Sequence, residues 1–222
     1  MECSKTELLR FVVNAAEMEK VTTVLALGAH PDDLELGCGA TLAKLVRAGA
    51  HVRAVVFSKG KVGAASGVDR EAETRAALSS LGVQDIHVHN FPDTRLHERL
   101  NDLIEAIQEH VRKAPPDRVY TMFKEDRHQD HRAVHQASVV ACRRAPQILA
   151  YETPSSYPNF VPTAFEQVGD FMEQKVAALK LHESQGDRLY MNEDMIRSAA
   201  HFRGVQVELG RAEGFVPYKL VF

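Results

Sequence analysis

Two short clusters hold the residue types from which metal-assisted hydrolysis is built: Ala29-His30-Pro31-Asp32-Asp33 and, nearly a hundred residues later, His128-Gln129-Asp130-His131. Proline keeps His30 out of the helical region and can itself take the first helical position. Asp32 and Asp33 are therefore expected in a helix's first turn, where the positive end of the dipole favours ionised carboxylates. A His and an Asp three apart across such a turn can face one cation while the intervening carboxylate points elsewhere. Alone, the pentapeptide reads as readily as a helix start with two favourable acids, and the second cluster alone as a surface loop. Together they offer His30, Asp33 and His131 as ligands with a fourth position left for water, the pattern of a catalytic zinc site and not of a closed structural one. Asp32, and His128 with its acidic neighbour Asp130, stand over. Amide hydrolysis needs such parts: a base for the water proton, and a donor for the oxyanion and the leaving amine.

The elements that must position these clusters are legible as an alternation. Val21 to Ala29 is a β-rich apolar run feeding a helix to Arg47. Strands then follow at Val52 to Phe57, Ile86 to Val88 and Arg118 to Phe123, interleaved with helices at Arg70 to Leu81, Glu98 to Arg112 and His131 to Arg143. Strands alternating with helices predict an α/β fold, an open doubly wound, Rossmann-like, mostly parallel sheet with helices on both faces. In such sheets ligands bind outside the carboxyl ends of the strands, and both clusters fall there. Past Ile148 the pattern degrades. Tyr151 to Pro162 reads as a rim loop, followed by helices at Phe171 to His182 and from Asn192-Glu193-Asp194, then a short strand near Tyr218 to Val221. Ser4 to Glu19 is expected to be an amphipathic helix opened by a Ser4-x-x-Glu7 capping box. The chain thus divides into an N-terminal helical extension, residues 1–20, and a single catalytic domain, residues 21–222.

Composition narrows the partners. Lys and Arg number 27 against 30 Asp and Glu, a net charge of -3, which removes the footprint of a general nucleic-acid binder. No apolar run approaches the ~20 residues that span a bilayer, and the N-terminus lacks a signal peptide's pattern. A cytoplasmic protein is expected, with a small-molecule substrate, no nucleic acid and no stable membrane insertion; the first helix is a possible contact in a homo-oligomer. The three cysteines, Cys3, Cys38 and Cys142, have unrelated spacings and form no Cys-x-x-Cys, so nitrogen and oxygen from among the eleven histidines and the carboxylates should hold any metal.

Other patterns are set aside. Gly37-Cys38-Gly39 lacks the third glycine of a dinucleotide fingerprint, and the loop from Gly60 lacks a P-loop ending. His131-x-x-x-His135 has zincin spacing, but Arg132 stands where the base would be, leaving His135 on a helix face. His87 and His89 share one side of a strand and are expected to pack against a helix. His51, His97, His110, His182 and His201 are read as isolated surface or packing residues.

On the two clusters the sequence resembles the PIG-L/LmbE-like de-N-acetylase family. The resemblance extends through Asp32-Asp33-Leu34-Glu35-Leu36-Gly37, Arg70-x-x-Glu73-x-x-x-Ala77, Phe91-Pro92-Asp93, Ser184-Gln185 and Arg203-Gly204. It implies that His30, Asp33 and His131 bind Zn2+ or another divalent metal, and that Asp32 is the general base. His128 would polarise the acetyl carbonyl and protonate the leaving nitrogen, held by Asp130, while Arg70 and Asp93 contact the sugar. The implied substrate is an N-acetylated amino sugar of the N-acetylglucosamine type, or its conjugate. The alternatives are an amidase acting on a longer-acyl sugar conjugate and a non-catalytic sugar- or nucleotide-binding domain. Two lysines, Lys59 and Lys61, stand in a glycine-rich loop where relatives carry an acid.

Overall fold

A strand covered on both faces can be apolar at every position, and β1 (Thr23–Gly28) is buried along nearly its whole length. In the computed structural model, which describes residues 21–62 and 67–221, β1 lies near the middle of a seven-stranded sheet. The other strands are β2 (His51–Val56), β3 (Asp85–Val88), β4 (Arg118–Met122), β5 (Gln147–Tyr151), β6 (Ala164–Gln167) and β7 (Ala212–Leu220), in the order β3-β2-β1-β4-β5-β7-β6. The first five are parallel to one another, and β7 runs antiparallel between β5 and β6. The strand order reverses direction between β1 and β4, whose carboxyl ends flank the crevice where ligands bind in such sheets. The helices are α1 (Asp33–Arg47), α2 (Arg70–Ser80), α3 (Leu100–Lys113), α4 (Gln129–Ala141), α5 (Met172–Lys180) and α6 (Glu193–Val205).

The expected α/β fold is present, with differences concentrated at its C-terminal side. β5 and β6 were not read from the sequence, and β7 spans nine residues where a short terminal strand was expected. Tyr151, assigned above to a rim loop, ends β5 and is fully buried. The expected N-terminal helix lies outside the described residues. The main core unites Leu25, Leu27, Val55, Leu103, Ile107, Val119 and Ile148; a second cluster of Ala40, Met172, Val176, Leu179 and Ile196 seats α5 and α6 on α1.

α1 is broken at Cys38, whose backbone is non-helical (φ -145°, ψ 18°). The break frees backbone groups that must find partners when buried. Lys175 on α5 donates to the Leu36 carbonyl at 2.7 Å, while Glu213 on β7 accepts from the Ala40 and Thr41 amides at 3.2 and 2.8 Å. Lys175 and Glu213 also pair with each other at 2.6 Å. Gly37 beside the break has no room for a side chain, because a Cβ there would lie 2.1 Å from the Tyr151 ring.

Candidate active site

The turn after β1 begins the site. Pro31 precedes Asp32, but Asp32 is not in the first helical turn as expected: it precedes α1 with φ 91°, in the left-handed region that costs a residue bearing a Cβ. That conformation separates the two carboxylates. Asp33 folds back, its Oδ2 accepting from the Ala29 and His30 amides at 3.0 and 2.7 Å, which leaves Oδ1 3.3 Å from His131 Nε2. Asp32 turns the other way, toward Arg70, whose Nη2 is 3.3 Å from its Oδ2. Arg70 also donates to the carbonyls of Pro31 and Gly60, both at 3.1 Å.

The second cluster enters from β4 and the start of α4. His30 and His131 have ring centroids 5.5 Å apart with Asp33 between them, and ring nitrogens of His30, His128 and His131 lie within 4.8 Å of one another. Each of the two outer imidazoles is anchored by its far nitrogen. His30 Nε2 is 3.0 Å from Asp130 Oδ2 and 3.2 Å from Asp93 Oδ1, and His131 Nδ1 is 3.1 Å from Asp126 Oδ2. Carboxylates on the far nitrogens favour a proton there, so that in the neutral rings His30 Nδ1 and His131 Nε2 would carry the lone pairs on the side of Asp33. This donor set, two imidazole nitrogens and a carboxylate oxygen, suits a divalent cation such as zinc.

Asp130 therefore does not hold His128 as expected. Its carboxylate serves His30 and the Leu96 amide, the latter at 2.9 Å, and only its backbone amide reaches His128, donating to Nδ1 at 3.2 Å. An accepting Nδ1 leaves the neutral His128 ring with its proton on Nε2. Asp126, fully buried, was missed. Its Oδ1 accepts from the His128 amide at 2.8 Å and its Oδ2 from Thr153 Oγ1 at 2.7 Å. The available clue was its place in the stretch that extends β4.

Electrostatics follow the same geometry. Burial disfavours charge on His30, but Asp130, Asp93 and Asp33 outweigh it and raise the ring to about 9. For His131, burial is likewise overcome by Asp33 and Asp126, to about 10. Burial acts against ionised Asp33, yet His131 and His30 bring it down to about 2. Asp32 goes the other way: burial, then the Asp33 charge, lift it to about 7 against the pull of Arg70. His128 is lowered by burial and by the charges of His30 and His131. The field of the surrounding carboxylates that holds protons on His30 and His131 equally favours a cation.

A cleft of about 380 Å³ opens over these groups, lined among others by His30, Asp32, Asp33, Arg70, Asp93, His128 and His131. Asp130 sits beneath it with no exposed surface. Neither Lys59 nor Lys61 lines the cleft; Lys59 pairs with Glu71 at 2.7 Å, and the loop presents the Val62 amide, which donates to Asp93 Oδ2. The far wall is formed by Gln185, Arg188 and Tyr190, of which only Gln185 belongs to a stretch that resembles the family. His182, read above as isolated, is buried with its Nε2 3.0 Å from Glu35 Oε1, and its charge acts on Asp32. His110 is not isolated either: its Nε2 is 3.3 Å from that of His89, and its ring meets His87 edge to face.

Residues 25–142 match the PIG-L family, described as GlcNAc-PI de-N-acetylase. The chain is 52% identical over 168 residues to the uncharacterized deacetylase YaiS of Escherichia coli, covering 72% of this chain and 90% of that protein. It is 29% identical over 225 residues to the diacetylchitobiose deacetylase of Thermococcus kodakarensis, covering 89% of this chain and 84% of the relative. Among solved structures, the conserved protein TT1542 from Thermus thermophilus superposes with a TM-score of 0.78 at 27% identity, over 90% of this chain and 96% of that one.

Proposed function

Since the chain belongs to the PIG-L family of de-N-acetylases, we propose that its cleft hydrolyses the N-acetyl group of an amino sugar of the N-acetylglucosamine type, or of its conjugate, releasing acetate and the free amine. The observation that carries this is the convergence of His30, Asp33 and His131, with the far ring nitrogens of the two histidines held by Asp130 and Asp126 and with Asp32 set apart beside them. His30 Nδ1, Asp33 Oδ1 and His131 Nε2 are the atoms that would hold Zn2+ or another divalent ion. Bound there, the ion would supply Lewis acidity to a water and to the acetyl carbonyl.

This chain's residues account for the proton movements. Asp32, raised toward neutrality and held by Arg70, takes a proton from the attacking water. The water oxygen bonds to the acetyl carbon, and His128 Nε2–H donates to the oxygen that gains charge. The C–N bond then breaks and the nitrogen receives its proton from His128 or from the protonated Asp32. Asp130 acts through His30 and not through His128. Asp93 and Arg70 line the cleft wall, and in this reading they meet the sugar hydroxyls. No helix among the described residues is long and apolar enough to cross a membrane, and the reading is of a cytoplasmic enzyme for a small diffusible substrate.

The test is acetate release from a panel of N-acetylglucosamine derivatives, with chelator and with zinc restored. Asp32→Asn should lower kcat by about a hundredfold or more while metal stays bound, the usual scale for general-base loss. Full activity in Asp32→Asn, or turnover indifferent to chelator, would overturn the assignment.

A further inference from the structure

Next to the catalytic cleft lies a second cavity of about 420 Å³, and the two share Leu36, Thr153, Pro154 and Tyr190 along their common wall. Its own walls come from α6 and β7, chiefly Met195, Ile196, Ala199, Ala200 and Phe202. Met195 and Phe202 stand at its rim, 53% and 59% exposed, so that an apolar group entering the cavity would meet their side chains. The charged groups that border it are already neutralised. Lys175 pairs with Glu213 at 2.6 Å, and Arg203 pairs with Glu152 at 2.7 Å while stacking on Phe202.

We infer that this cavity is the aglycone subsite, and that the substrate is an N-acetylated amino sugar whose remainder is an uncharged apolar group several carbons long. The inference rests on the deacetylase reading above. In that reading the group cleaved from nitrogen is acetyl, too short to leave the catalytic cleft, so whatever continues across Leu36 and Tyr190 belongs to the sugar side. A phosphate or carboxylate on that tail would meet no unpaired cation among the cavity's described lining residues, and desolvating it there would be unfavourable. An alkyl or aryl group gains by leaving water against Met195, Ile196 and Phe202.

The experiment compares kcat/KM for methyl, hexyl and 6-phosphohexyl β-glycosides of N-acetylglucosamine, with methyl N-hexanoylglucosaminide as a fourth substrate. The hexyl glycoside should exceed the methyl by about tenfold or more, given the usual gain per buried methylene. The phosphohexyl compound should fall back toward the methyl value. Ala199→Trp, at an exposed helix position lining the cavity, should reduce the hexyl-to-methyl ratio toward one. Equal turnover of methyl and hexyl glycosides overturns the inference. So does a hexyl preference untouched by Ala199→Trp, or a preference for the hexanoyl amide, which would put the acyl chain in the cavity. If no glycoside releases acetate, the deacetylase reading fails, and calorimetric binding of the hexyl glycoside to wild type and Ala199→Trp still decides the subsite. A self-associating protein whose dimerisation the hexyl glycoside does not oppose would assign the exposed Met195 and Phe202 to a second copy instead.

Discussion

Asp126→Asn tests the anchoring of the proposed metal ligands most directly. Four donors converge on this buried carboxylate: the His128 amide on Oδ1 at 2.8 Å, and Thr153 Oγ1, His131 Nδ1 and Ser156 Oγ on Oδ2 at 2.7, 3.1 and 3.4 Å. Burial opposes its charge, but His131 and the hydroxyls beside it hold the carboxyl well below the usual carboxylate range. An amide offers one acceptor atom where the carboxylate offers two. If the asparagine oxygen faces His131, its NH2 meets the His128 N–H, donor against donor, at the start of α4. If the NH2 faces His131, it donates to Nδ1 and drives the ring proton to Nε2, the atom that should bind the cation. The second arrangement keeps the helix start intact and should prevail. Loss of such an anchoring partner costs about 10- to 100-fold in metal affinity, or about 1.4–2.7 kcal/mol. The assay is competition for zinc between the metal-free protein and a chromophoric chelator at neutral pH, with circular dichroism confirming the fold. Affinity within about twofold of wild type would refute the claim that Asp126 sets the His131 tautomer.

Three further outcomes concern the scaffold. Lys175→Met takes the cation from the buried Glu213 carboxylate, leaving it only the Ala40 and Thr41 amides, and the donor from the Leu36 carbonyl, and should cost about 3–5 kcal/mol in urea unfolding, the scale for breaking one side of a buried pair; a loss below about 1 kcal/mol would show the pair to be dispensable. Gly37→Ala puts a Cβ 2.1 Å from a buried ring, and a loss of at least about 1–3 kcal/mol is expected from overpacking; an unchanged melting temperature would contradict this. The last concerns acid. Burial, with His87, His89, Arg53 and Lys113 around it, lowers His110 from 6.5 to about 4 in the folded state. Between those values the unfolded chain binds the extra proton, so the contribution of His110 is present above 6.5 and is lost as pH falls toward 4. His110→Leu should therefore show a shallower decline in urea midpoint across that window, and parallel declines would refute the assignment.

How far the site could be read from the chain varies residue by residue. That His30, Asp33, His128 and His131 meet on one rim is legible because their positions depend on local facts: each cluster follows a strand whose apolar run is visible, and parallel strands bring their carboxyl ends to one rim. Asp130 pairs with a different histidine from the one expected, since its place two residues along the chain favours His128 while the start of α4 turns its carboxylate to His30. The β5, β6 and β7 region was under-read because an antiparallel return at a sheet edge has no helical alternation to announce it.

What the sequence determined by itself was the alternation of strands and helices, the rim on which the chemistry stands, and the donor types available there, because hydrophobic period and turn chemistry act over a few residues. The tertiary structure decided which carboxylate serves which imidazole, the left-handed backbone that parts Asp32 from Asp33, the burial of His182 on Glu35, and the apolar cavity beside the cleft. Those depend on groups brought together from distant parts of the chain, or on a backbone strain that only the packed surroundings of β1, α1 and α2 can sustain. Such contacts are fixed by strand order and register, which no local stretch of residues encodes.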